Sequence, residues 1–319
     1  MLRSHLGALP SEIRHLCGLH FGWWNDDGVT LGTPPKGKFI RAALTLLACR
    51  SVGSEPNAAY PAATAVELLH NASLLHDDII DGDLVRRGRP ALWAAKGIPA
   101  ALLAGDALFF ASVQMLASST EARRTTSALL AAAQTLIEGE YRDVLLESAA
   151  EAGERQVLSV AAGKTGELLA CACELGAIAG GAQPERVSHL RSFGRNLGIA
   201  FQCADDIVGI WGDPAITGKP AYSDLRQRKL SMPVAVTMAG RTSQAQTLRA
   251  LYSKKSPLSD EECKRAIGII EQTDAREATL RKVRRHTADA VYSLSLAHPE
   301  PIPAAELTAL ANQLINRDR

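Results

Sequence analysis

Aromatic residues are scarce in this sequence, and neither sign of charge dominates it. Phe, Trp and Tyr make up 5% of the chain, while Ala and Leu are its commonest residues. Because aromatic side chains favour strands and Ala and Leu favour helices, the composition predicts packed helices rather than sheets. The formal net charge is +1, so no bulk electrostatic attraction to nucleic acid or to an anionic membrane is expected.

Long apolar runs and paired cysteine motifs are also missing. No apolar stretch reaches the ~18 residues of a membrane span, and no basic segment, apolar run and cleavage site at the N-terminus indicates a signal peptide. The six cysteines form no CxxC pair and sit in apolar contexts, where buried free thiols are common. These absences predict a soluble, cytoplasmic protein without a membrane span. No linker or composition shift marks a boundary, so we expect one all-α domain over residues 1–319.

The strongest pattern lies in the segment Glu67–Asp81. Apolar residues recur there at helical spacing, with no Gly or Pro until Gly82, which predicts a central helix over residues 57–81. Residues three, four or seven positions apart share one face of a helix. This spacing places four polar side chains in one stripe along the helix, with Asp78 beside them: His70, Ser73, Asp77 and Asp81.

Three carboxylates at the end of a helix need a counter-charge. They repel one another, and a helix C-terminus disfavours each negative charge by roughly 0.3–1 kcal/mol. Magnesium is usually held by one or two carboxylates together with substrate phosphates. Arg86 and Arg87 follow directly, and arginine binds two phosphate oxygens at once. The alternative is a solvated acidic turn followed by a basic one.

The predicted helix 186–211 repeats this theme. Gly198, Gln202, Asp205 and Gly209 share one face, and Asp206 lies beside them. A basic loop over residues 215–229 follows, with four cationic side chains that could reach an anion: Lys219, Arg226, Arg228 and Lys229.

Two acidic helix ends, each followed by basic residues, fit a bundle in which both face one cavity. Such a cavity suits a polyanion bridged by divalent ions, and a diphosphate ester is the natural candidate. The other lining residues are apolar, so the rest of the ligand should be hydrocarbon.

Weaker patterns lie elsewhere in the chain. An apolar helix is predicted from Lys38 to about residue 49, directly after Gly37. A helix start after Gly is a natural anion site, to which Lys38 and Arg41 add positive charge. The alternative is that Lys38 and Arg41 are two exposed basic residues. Further helices are predicted at 98–118, 124–148, 154–180 and, with breaks near 253–259 and 298–303, over 232–319. We expect Asp106 to be a buried structural acid, Lys164-Thr165 to form a partly buried polar patch, and a solvated acidic face of Glu138, Glu140, Asp143 and Glu147.

The chain resembles the trans-isoprenyl diphosphate synthases, of the bacterial geranylgeranyl diphosphate synthase type, over nearly its whole length. The resemblance implies an all-α, single-domain helical bundle around a central cavity, a homodimer, and dependence on Mg²⁺, with three ions bridging the allylic diphosphate. It rests on ordered motifs: Gly37-Lys38-x-x-Arg41, Glu67-Leu-Leu-His70, Asp77-Asp78-x-x-Asp81, Arg86-Arg87-Gly88, Lys164-Thr165, Phe201-Gln202-x-x-Asp205-Asp206, Gly218-Lys219-Pro220 and Ser223-Asp224-Leu225 ending at Lys229.

The resemblance also implies roles for single residues. Asp77, Asp81 and Asp205 would bind Mg²⁺, with Asp78 and Asp206 supporting them. Thr165 and Gln202 would turn their oxygens towards the allylic cation. The allylic diphosphate would be held by Arg86, Lys164, Lys219 and Lys229, and isopentenyl diphosphate by Lys38, Arg41, His70 and Arg87. Gly37, in the same motif as Lys38 and Arg41, is a further substrate-binding residue.

Four positions depart from the family pattern. Gly209 stands where a third Asp is usual, which predicts a weaker or water-mediated metal contact. Phe39 and Ala42 replace the usual Arg and Pro, and Tyr222 replaces a Gly in the loop expected to close over the diphosphate. Two alternative functions remain: a terpene cyclase on the same scaffold, which would use no isopentenyl diphosphate, and a non-catalytic partner subunit.

Product length should depend on the residues just before the first acidic motif. In the family the hydrocarbon tail runs alongside this helix, and one helical turn rises ~5.4 Å, about one isoprene unit. Ala72 and Ser73 are small, so a fifteen-carbon tail should pass and a twenty-carbon product is expected. Four residues further down are candidates for the floor: Leu68, Leu69, Phe109 and Phe110.

Overall fold

The computed structural model describes most of the chain, as two compact units. The described residues are 2–32, 37, 39–117, 119, 121–147, 153–212, 222–254 and 256–316. The predicted binding residues Lys38 and Lys219 therefore lie outside the described part of the chain. The first unit comprises residues 1–131 and 171–183, and the second comprises residues 132–170 and 184–319.

The first unit consists of helices and one short hairpin. Helix α7 (Ala122–Glu147) and helix α9 (Glu167–Ala179) contribute residues to both units. The other elements of the first unit are α1 (Leu2–His5), a 3₁₀ turn (Leu6–Ala8), α2 (Ser11–Phe21), α3 (Ile40–Ser51), a 3₁₀ turn (Pro56–Ala59), α4 (Tyr60–Ile80), β1 (Val85–Arg86), β2 (Arg89–Pro90), α5 (Leu92–Lys96) and α6 (Ile98–Ala117).

Helix α4 is the centre of the first unit. Pro61 lies in its first turn, where the missing N–H of proline leaves no helical hydrogen bond unmade. Its apolar face is buried against α6: Leu68, Ala72 and Leu75 share one core cluster with Ala104 and Leu108. Each of these side chains is fully buried, so packing holds α4 and the acidic turn at its end in place.

Every regular element among the described residues of the second unit is a helix. Its long helix α10 packs mainly against α15, and its core includes Ile210, Leu225, Val234 and Ile270. Its elements, besides parts of α7 and α9, are α8 (Glu154–Val160), a π-helical segment (Ala161–Gly166), α10 (Pro184–Trp211), α11 (Ser223–Arg226), α12 (Met232–Ala239), α13 (Ser243–Tyr252), α14 (Asp260–Glu271), α15 (Ala275–Leu296) and α16 (Pro301–Ile315).

The all-α class is confirmed, and most predicted helices appear with boundaries shifted by a few residues. Further breaks at residues 240–242 and 272–274 divide the predicted C-terminal helices, and three other details differ. The predicted helix 154–180 is interrupted by the π-helical segment, the loop 215–229 contains α11, and part of the predicted turn after α4 is the β1–β2 hairpin. The single-domain prediction for residues 1–319 stays a prediction.

Two predictions about acidic side chains are wrong. Asp106 is not buried: its side chain is 57% exposed beside His76. Glu140 is not part of a solvated face: it is buried and its carboxylate lies 2.7 Å from the Nζ of Lys164. Sequence spacing places both residues on helices but does not show whether a neighbouring element covers them.

Helix α6 is more apolar than expected from the sequence. By length and composition alone it could span a membrane. The core helix of a soluble protein can be as long and as apolar, so this single helix is weak evidence for a membrane span. The six cysteines are free and buried, as predicted.

Candidate active site

The first acidic group lies in the last turn of α4, which ends in a glycine cap. Gly82 has a φ of 69°, a left-handed conformation that glycine adopts without strain. The N–H of Asp83 donates to the carbonyl oxygen of Asp78 at 2.9 Å, and the N–H of Asp81 donates to that of Asp77 at 2.8 Å. These bonds fix the backbone of the turn that carries the three aspartates.

The hairpin after α4 returns Arg86 to this turn. Its two-residue loop, Arg87-Gly88, has φ angles of 54° and 74°, as in the type I′ turns that suit hairpins. Arg86 donates from Nε to Asp78 Oδ1 at 2.7 Å, and its Nη2 contacts Asp78 and Asp83. Burial raises the pKa of Asp78, and Arg86 opposes that rise. Arg86 therefore holds Asp78 in the geometry shown.

A small basic cavity of about 100 Å³ lies at the start of α3. Burial, followed by the positive charges of Arg41 and Arg87, lowers the pKa of His70 well below its usual range. The Nε of Arg41 is buried and has no hydrogen-bond partner among the described residues. A cavity with this excess of positive charge fits an anion. Three of the four residues predicted to hold isopentenyl diphosphate line it, namely Arg41, His70 and Arg87, and so does the predicted substrate-binding residue Gly37.

Glu67 is the acidic member of this cavity and stabilises its shape. Its carboxylate accepts a hydrogen bond from the N–H of Ala42 at 3.0 Å, in the first turn of α3. Phe39, the residue before the helix, supplies no capping side chain and has a φ of 44°. Glu67 therefore takes the place of a normal N-cap. Burial raises its pKa, and the Ala42 N–H and the charge of Arg41 oppose this rise.

A buried histidine behind the cavity was not expected from the sequence. The amide nitrogen of Asn71 donates to the carbonyl oxygen of Glu67 at 2.7 Å, so its amide oxygen faces His20 at 3.1 Å and Arg87 at 3.4 Å. Burial and then the charge of Arg87 lower the pKa of His20 to about 3. Neutral His20 thus donates from Nε2, and Asn71 helps to hold Arg87.

The residues predicted to control product length occupy different environments. Ala72 is fully buried, and the partly buried Phe109 packs against the same core cluster. Ser73 is buried and donates to the carbonyl oxygen of His70 at 2.9 Å. Phe110, in contrast, is 75% exposed, so the structure does not support it as a floor within its own unit.

In the second unit, Lys164 and Thr165 lie in the π-helical segment. Such segments are rare and often occur at functional sites. Glycines let the backbones approach closely on both sides: a Cβ at Gly139 would lie 2.6 Å from the Lys164 nitrogen, and one at Gly198 would lie 2.5 Å from the Gly166 Cα. The position of this segment therefore depends on the absence of side chains at Gly139 and Gly198.

Two carboxylates bind the amine of Lys164. Its Nζ lies 2.7 Å from Glu140 Oε2 and 3.0 Å from Asp143 Oδ2. Lys164 was predicted to hold a diphosphate, and in this structure the two carboxylates of α7 orient it. Neither partner was predicted, because they precede Lys164 by more than twenty residues and read as a surface face.

A chain of hydrogen bonds connects Thr165 to the second acidic motif. Thr165 Oγ1 donates to Gln202 Oε1 at 2.8 Å, and Gln202 Nε2 donates to Asp206 Oδ1 at 3.0 Å. The other Asp206 oxygen accepts the N–H of Met232 at 2.8 Å. Both oxygens of Asp206 are thus engaged, which supports a positioning role for it. Burial raises the pKa of Asp206 to about 6.

Lys229 lies near this chain. Burial alone would lower its pKa, but the charges of Asp224 and Asp206 outweigh burial and raise it. The Lys229 N–H donates to the carbonyl oxygen of Asp224 at 2.8 Å. Asp205, the predicted metal ligand of the second acidic motif, is half-buried on α10, beside Asp206.

The donor set fits magnesium at the first acidic group. Asp78 Oδ2 is buried and has no hydrogen-bond partner in the described part of the chain, and the neighbouring donors are carboxylate oxygens, which Mg²⁺ prefers. Within the described residues, no three His, Cys, Asp or Glu side chains form a ready-made metal site. Magnesium held by one or two carboxylates and by substrate phosphates needs no such cluster.

Comparisons with known proteins decide the family. The family model for polyprenyl synthetase matches residues 29–270. The chain belongs to the polyprenyl synthetase family. Its curated relatives include a geranylgeranyl diphosphate synthase of Mycobacterium tuberculosis, 36% identical over 100% of this chain and 90% of the relative. They also include a (2E,6E)-farnesyl diphosphate synthase of Mycobacterium bovis, 37% identical over 99% of this chain and 89% of the relative.

Solved structures of this family share the fold. A polyprenyl synthetase from Streptomyces coelicolor has a TM-score of 0.93 and 37% identity, covering 98% of this chain and 95% of its own. A geranylgeranyl pyrophosphate synthase from Corynebacterium glutamicum, complexed with isoprenyl diphosphate and magnesium, has a TM-score of 0.83 and 26% identity, covering 99% and 97%. The chain thus has the all-α isoprenoid synthase fold and is a trans-prenyltransferase. Its relatives make products of different lengths.

Proposed function

We propose that this polyprenyl synthetase condenses isopentenyl diphosphate with an allylic diphosphate, in a Mg²⁺-dependent reaction, to give geranylgeranyl diphosphate. The C–O bond of the allylic substrate breaks, and its electron pair leaves with the diphosphate. The double bond of isopentenyl diphosphate then forms the new C–C bond with the allylic cation. A proton leaves the adduct, and the departed diphosphate takes it up, so no dedicated protein base is needed.

The basic cavity at α3 carries this proposal. A terpene cyclase acts on one diphosphate and has no use for a second anion site, whereas condensation needs a place for isopentenyl diphosphate. The cavity gathers Arg41, His70 and Arg87 around about 100 Å³. A non-catalytic subunit would not need the Thr165–Gln202–Asp206 chain of hydrogen bonds.

Each functional group has a proposed task. Lys164, Lys229 and Arg86 bind the allylic diphosphate, and Lys219, outside the described residues, is proposed to join them. The oxygens of Thr165 and Gln202 stabilise the allylic cation, since each keeps a lone pair after their mutual hydrogen bond.

Magnesium would be bound by three carboxylates: Asp77, Asp81 and Asp205. When bound, it would neutralise the charge that develops on the leaving diphosphate. Asp78 and Asp206 orient the motifs, because Arg86 holds the first and Gln202 and Met232 hold the second. The use of three ions, and a common cavity for the two acidic groups, stay predictions.

A twenty-carbon product follows from the small residues before the first motif. Ala72 and Ser73 leave no aromatic ring one turn from the aspartates, so the tail can extend by one isoprene unit beyond fifteen carbons. Farnesyl diphosphate or a shorter allylic diphosphate is the proposed starter.

A homodimer in the cytoplasm is the proposed state of the protein. Helix α6 exposes a row of large apolar side chains, including Leu103 at 56% and Phe110 at 75%. A second copy of the chain would remove this row from water, which is favourable by ~25 cal/mol per Å² of apolar surface.

One incubation tests the proposed function. Purified protein is supplied with Mg²⁺ and farnesyl diphosphate, with and without isopentenyl diphosphate, and products are analysed after phosphatase treatment. Geranylgeraniol that appears only with isopentenyl diphosphate is the expected result. A cyclic hydrocarbon formed without isopentenyl diphosphate would instead establish the cyclase alternative.

A further inference from the structure

Arg228, the residue before Lys229, has a backbone conformation that is unusual for its side chain. Its φ is 57°, in the left-handed region, where a residue with a Cβ is strained and glycine is not. The N–H of Arg228 donates to the carbonyl oxygen of Leu225 at 2.9 Å. The N–H of Lys229 donates to the carbonyl oxygen of Asp224 at 2.8 Å. These two bonds form a Schellman motif at the end of α11, and Arg228 occupies the position where glycine is usual.

The guanidinium of Arg228 stabilises this conformation from the end of another helix. Its Nη1 donates to the carbonyl oxygen of Tyr252 at 3.3 Å and to that of Lys254. Tyr252 is the last residue of α13, and the last carbonyl oxygens of a helix have no partner within it and favour a cation. Arg228 was expected among the cations that could reach an anion, but in the structure it binds the end of α13. Its bonds there offset the strain of the left-handed backbone.

The turn at Arg228 determines the direction in which the Lys229 side chain leaves the chain. The carbonyl oxygen of Lys229 accepts a hydrogen bond from the Tyr252 hydroxyl at 3.3 Å and another from the N–H of Ser231 at 2.9 Å. The N–H of Lys229 is already bonded to α11. The backbone of Lys229 is therefore held on both sides, by α11 and by α13.

The amine of Lys229 belongs to the group of cations proposed to bind the allylic diphosphate. Burial and the positive charge of Lys164 lower the pKa of Lys229, whereas the charges of Asp224 and Asp206 raise it. Lys164 and Lys229 thus lie close enough to interact, as expected for two amines that share one anion. A change in the direction of Lys229 would separate it from that anion.

We infer that Arg228 is a positioning residue, whose left-handed backbone, stabilised by the bonds of its guanidinium to α13, orients Lys229 towards the allylic diphosphate. This inference rests on the proposed function, in which Lys229 binds that diphosphate. The backbone conformation at position 228, and not the charge of the side chain, is then the property that matters. Glycine should therefore replace Arg228 better than alanine does.

Binding of an unreactive substrate analogue tests the inference apart from catalysis. The probe is farnesyl thiodiphosphate, in which sulfur replaces the oxygen of the scissile bond, and its affinity is measured with Mg²⁺ by isothermal titration calorimetry. Arg228→Ala loses the bonds to α13 but keeps a Cβ, so the turn should relax. Its affinity should fall about tenfold, as for the loss of one hydrogen bond to a charged group. Arg228→Gly loses the same bonds but has no strain to offset, so its affinity should stay close to that of the wild type.

Arg265→Ala and Arg265→Gly are the matched control pair. Arg265 is exposed within α14, where alanine favours the helix more than glycine does. Neither variant should change the affinity, and Tm should be higher for the alanine variant. At position 228 the order of the two Tm values should be reversed, because glycine is the residue without strain there.

Steady-state kinetics supply a second measurement. Arg228→Ala should raise the KM for the allylic substrate about tenfold and leave the KM for isopentenyl diphosphate at the wild-type value. Arg228→Gly should leave both constants close to the wild type. A side chain that only stabilises the fold would not separate the two substrates in this way.

Two results would overturn the inference. Wild-type affinity in Arg228→Ala would show that the left-handed turn is not needed to orient Lys229. Weakened binding in Arg228→Gly would show that the side chain itself is required, and this result can be observed even if Arg228→Ala does not fold. In that case Arg228→Asn replaces the alanine variant and should bind more weakly than Arg228→Gly, since asparagine is strained less than alanine but more than glycine. A wild-type protein that binds the analogue in this pattern but forms no prenyl product would overturn the proposed function alone.

Discussion

Arg41 is the residue on which the basic cavity most depends. Its Nε is buried without a hydrogen-bond partner among the described residues, as expected for a donor that waits for an anion. Hydrogen bonds to charged groups contribute about 1.5–3 kcal/mol, which corresponds to roughly tenfold or more in affinity. Arg41→Ala and His70→Ala should therefore raise the KM for isopentenyl diphosphate at least about tenfold, with little change in the KM for the allylic substrate.

Steady-state kinetics with each substrate varied in turn provide the measurement. Arg50→Ala, at the other end of the same helix, is the matched control and should leave both constants unchanged. If both KM values stay at the wild-type level in Arg41→Ala and His70→Ala, the cavity does not bind isopentenyl diphosphate and the cyclase alternative gains support.

The buried His20 makes stability depend on pH. Its pKa falls to about 3 in the folded protein, from an ordinary value of 6.5, because it is buried beside Arg87, Arg86 and Arg89. Between these two values the unfolded chain binds a proton that the folded chain does not, so stability falls as the pH drops below 6.5. From pH 7.5 to 5.5 this contribution is on the order of 1 kcal/mol.

Thermal unfolding at pH 7.5 and 5.5 measures this effect by difference. Buried acids such as Glu67 and Asp206 have raised pKa values and act in the opposite direction, so wild type and variant must be compared. His20→Gln keeps a donor for Asn71 and does not titrate, and its Tm should fall less on acidification. The exposed His298→Asn is the control. Equal drops in wild type and His20→Gln would show that His20 does not titrate as described.

At the scale of single elements, the π-helical segment depends on glycine contacts. A Cβ at Gly139 would meet the backbone nitrogen of Lys164 at 2.6 Å, whereas one at Gly268 would meet nothing within 4 Å. Gly139→Ala should therefore shift Lys164 and Thr165 and lower kcat at least about tenfold, since small misplacements of positioning groups are costly. Gly268→Ala should leave kcat unchanged and stabilise α14 by about 1 kcal/mol.

Turnover and Tm of the two alanine variants make this comparison. A Gly139→Ala enzyme with wild-type kcat would show that the segment tolerates displacement. A loss of activity in Gly268→Ala would show that the effect is not specific to the π-helical segment.

We expect the length of the product to depend on how α4 packs against α6. Ala72 is fully buried in the cluster that Phe109 covers. Ala72→Phe should shorten the product from twenty to fifteen carbons, because the ring occupies the path of the tail. Overpacking costs about 1–3 kcal/mol, so thermal unfolding is measured beside product length. Ala63→Phe, also buried on α4 but about 14 Å further from the motif, should not change the product.

Unchanged product length in Ala72→Phe, or shortening in Ala63→Phe as well, would place the floor elsewhere. A wild-type product of fifteen carbons would contradict the proposed chain length directly.

The elements show which parts of this protein can be predicted from sequence. Apolar periodicity and the order of the motifs predict α4 and α10 and place Asp77 and Asp205 near their ends, because both signals are local. The π-helical segment could not be predicted, since its close backbone contacts with Gly139 and Gly198 join segments that are distant in the sequence. Two other contacts also join segments that are distant in the sequence, so no rule of residue spacing predicts them. They are the ion pair of Glu140 with Lys164 and the contact of the Asp224 carboxylate with Gly209.

At the scale of the whole molecule, the exposed face of α6 determines the expected association state. Leu103 and Phe110 are seven residues apart and share one face of the helix. Leu103 is 56% exposed and Phe110 is 75% exposed. A second copy of the chain that covered these two side chains would remove their apolar surface from water, which would stabilise a dimer. Sedimentation equilibrium should therefore give twice the mass of the 34.0 kDa chain, and the variant Leu103→Asp/Phe110→Asp should sediment as a monomer.

Ile302→Asp is the matched control for this prediction. Ile302 is 68% exposed on α16, so the variant adds a charge to an exposed apolar position in the other unit. It should retain the wild-type mass, because the effect is expected only at α6. A monomeric wild-type protein, or a Leu103→Asp/Phe110→Asp variant that keeps the dimer mass, would show that α6 is not the interface, and dissociation of Ile302→Asp would show that the effect is not specific to that helix.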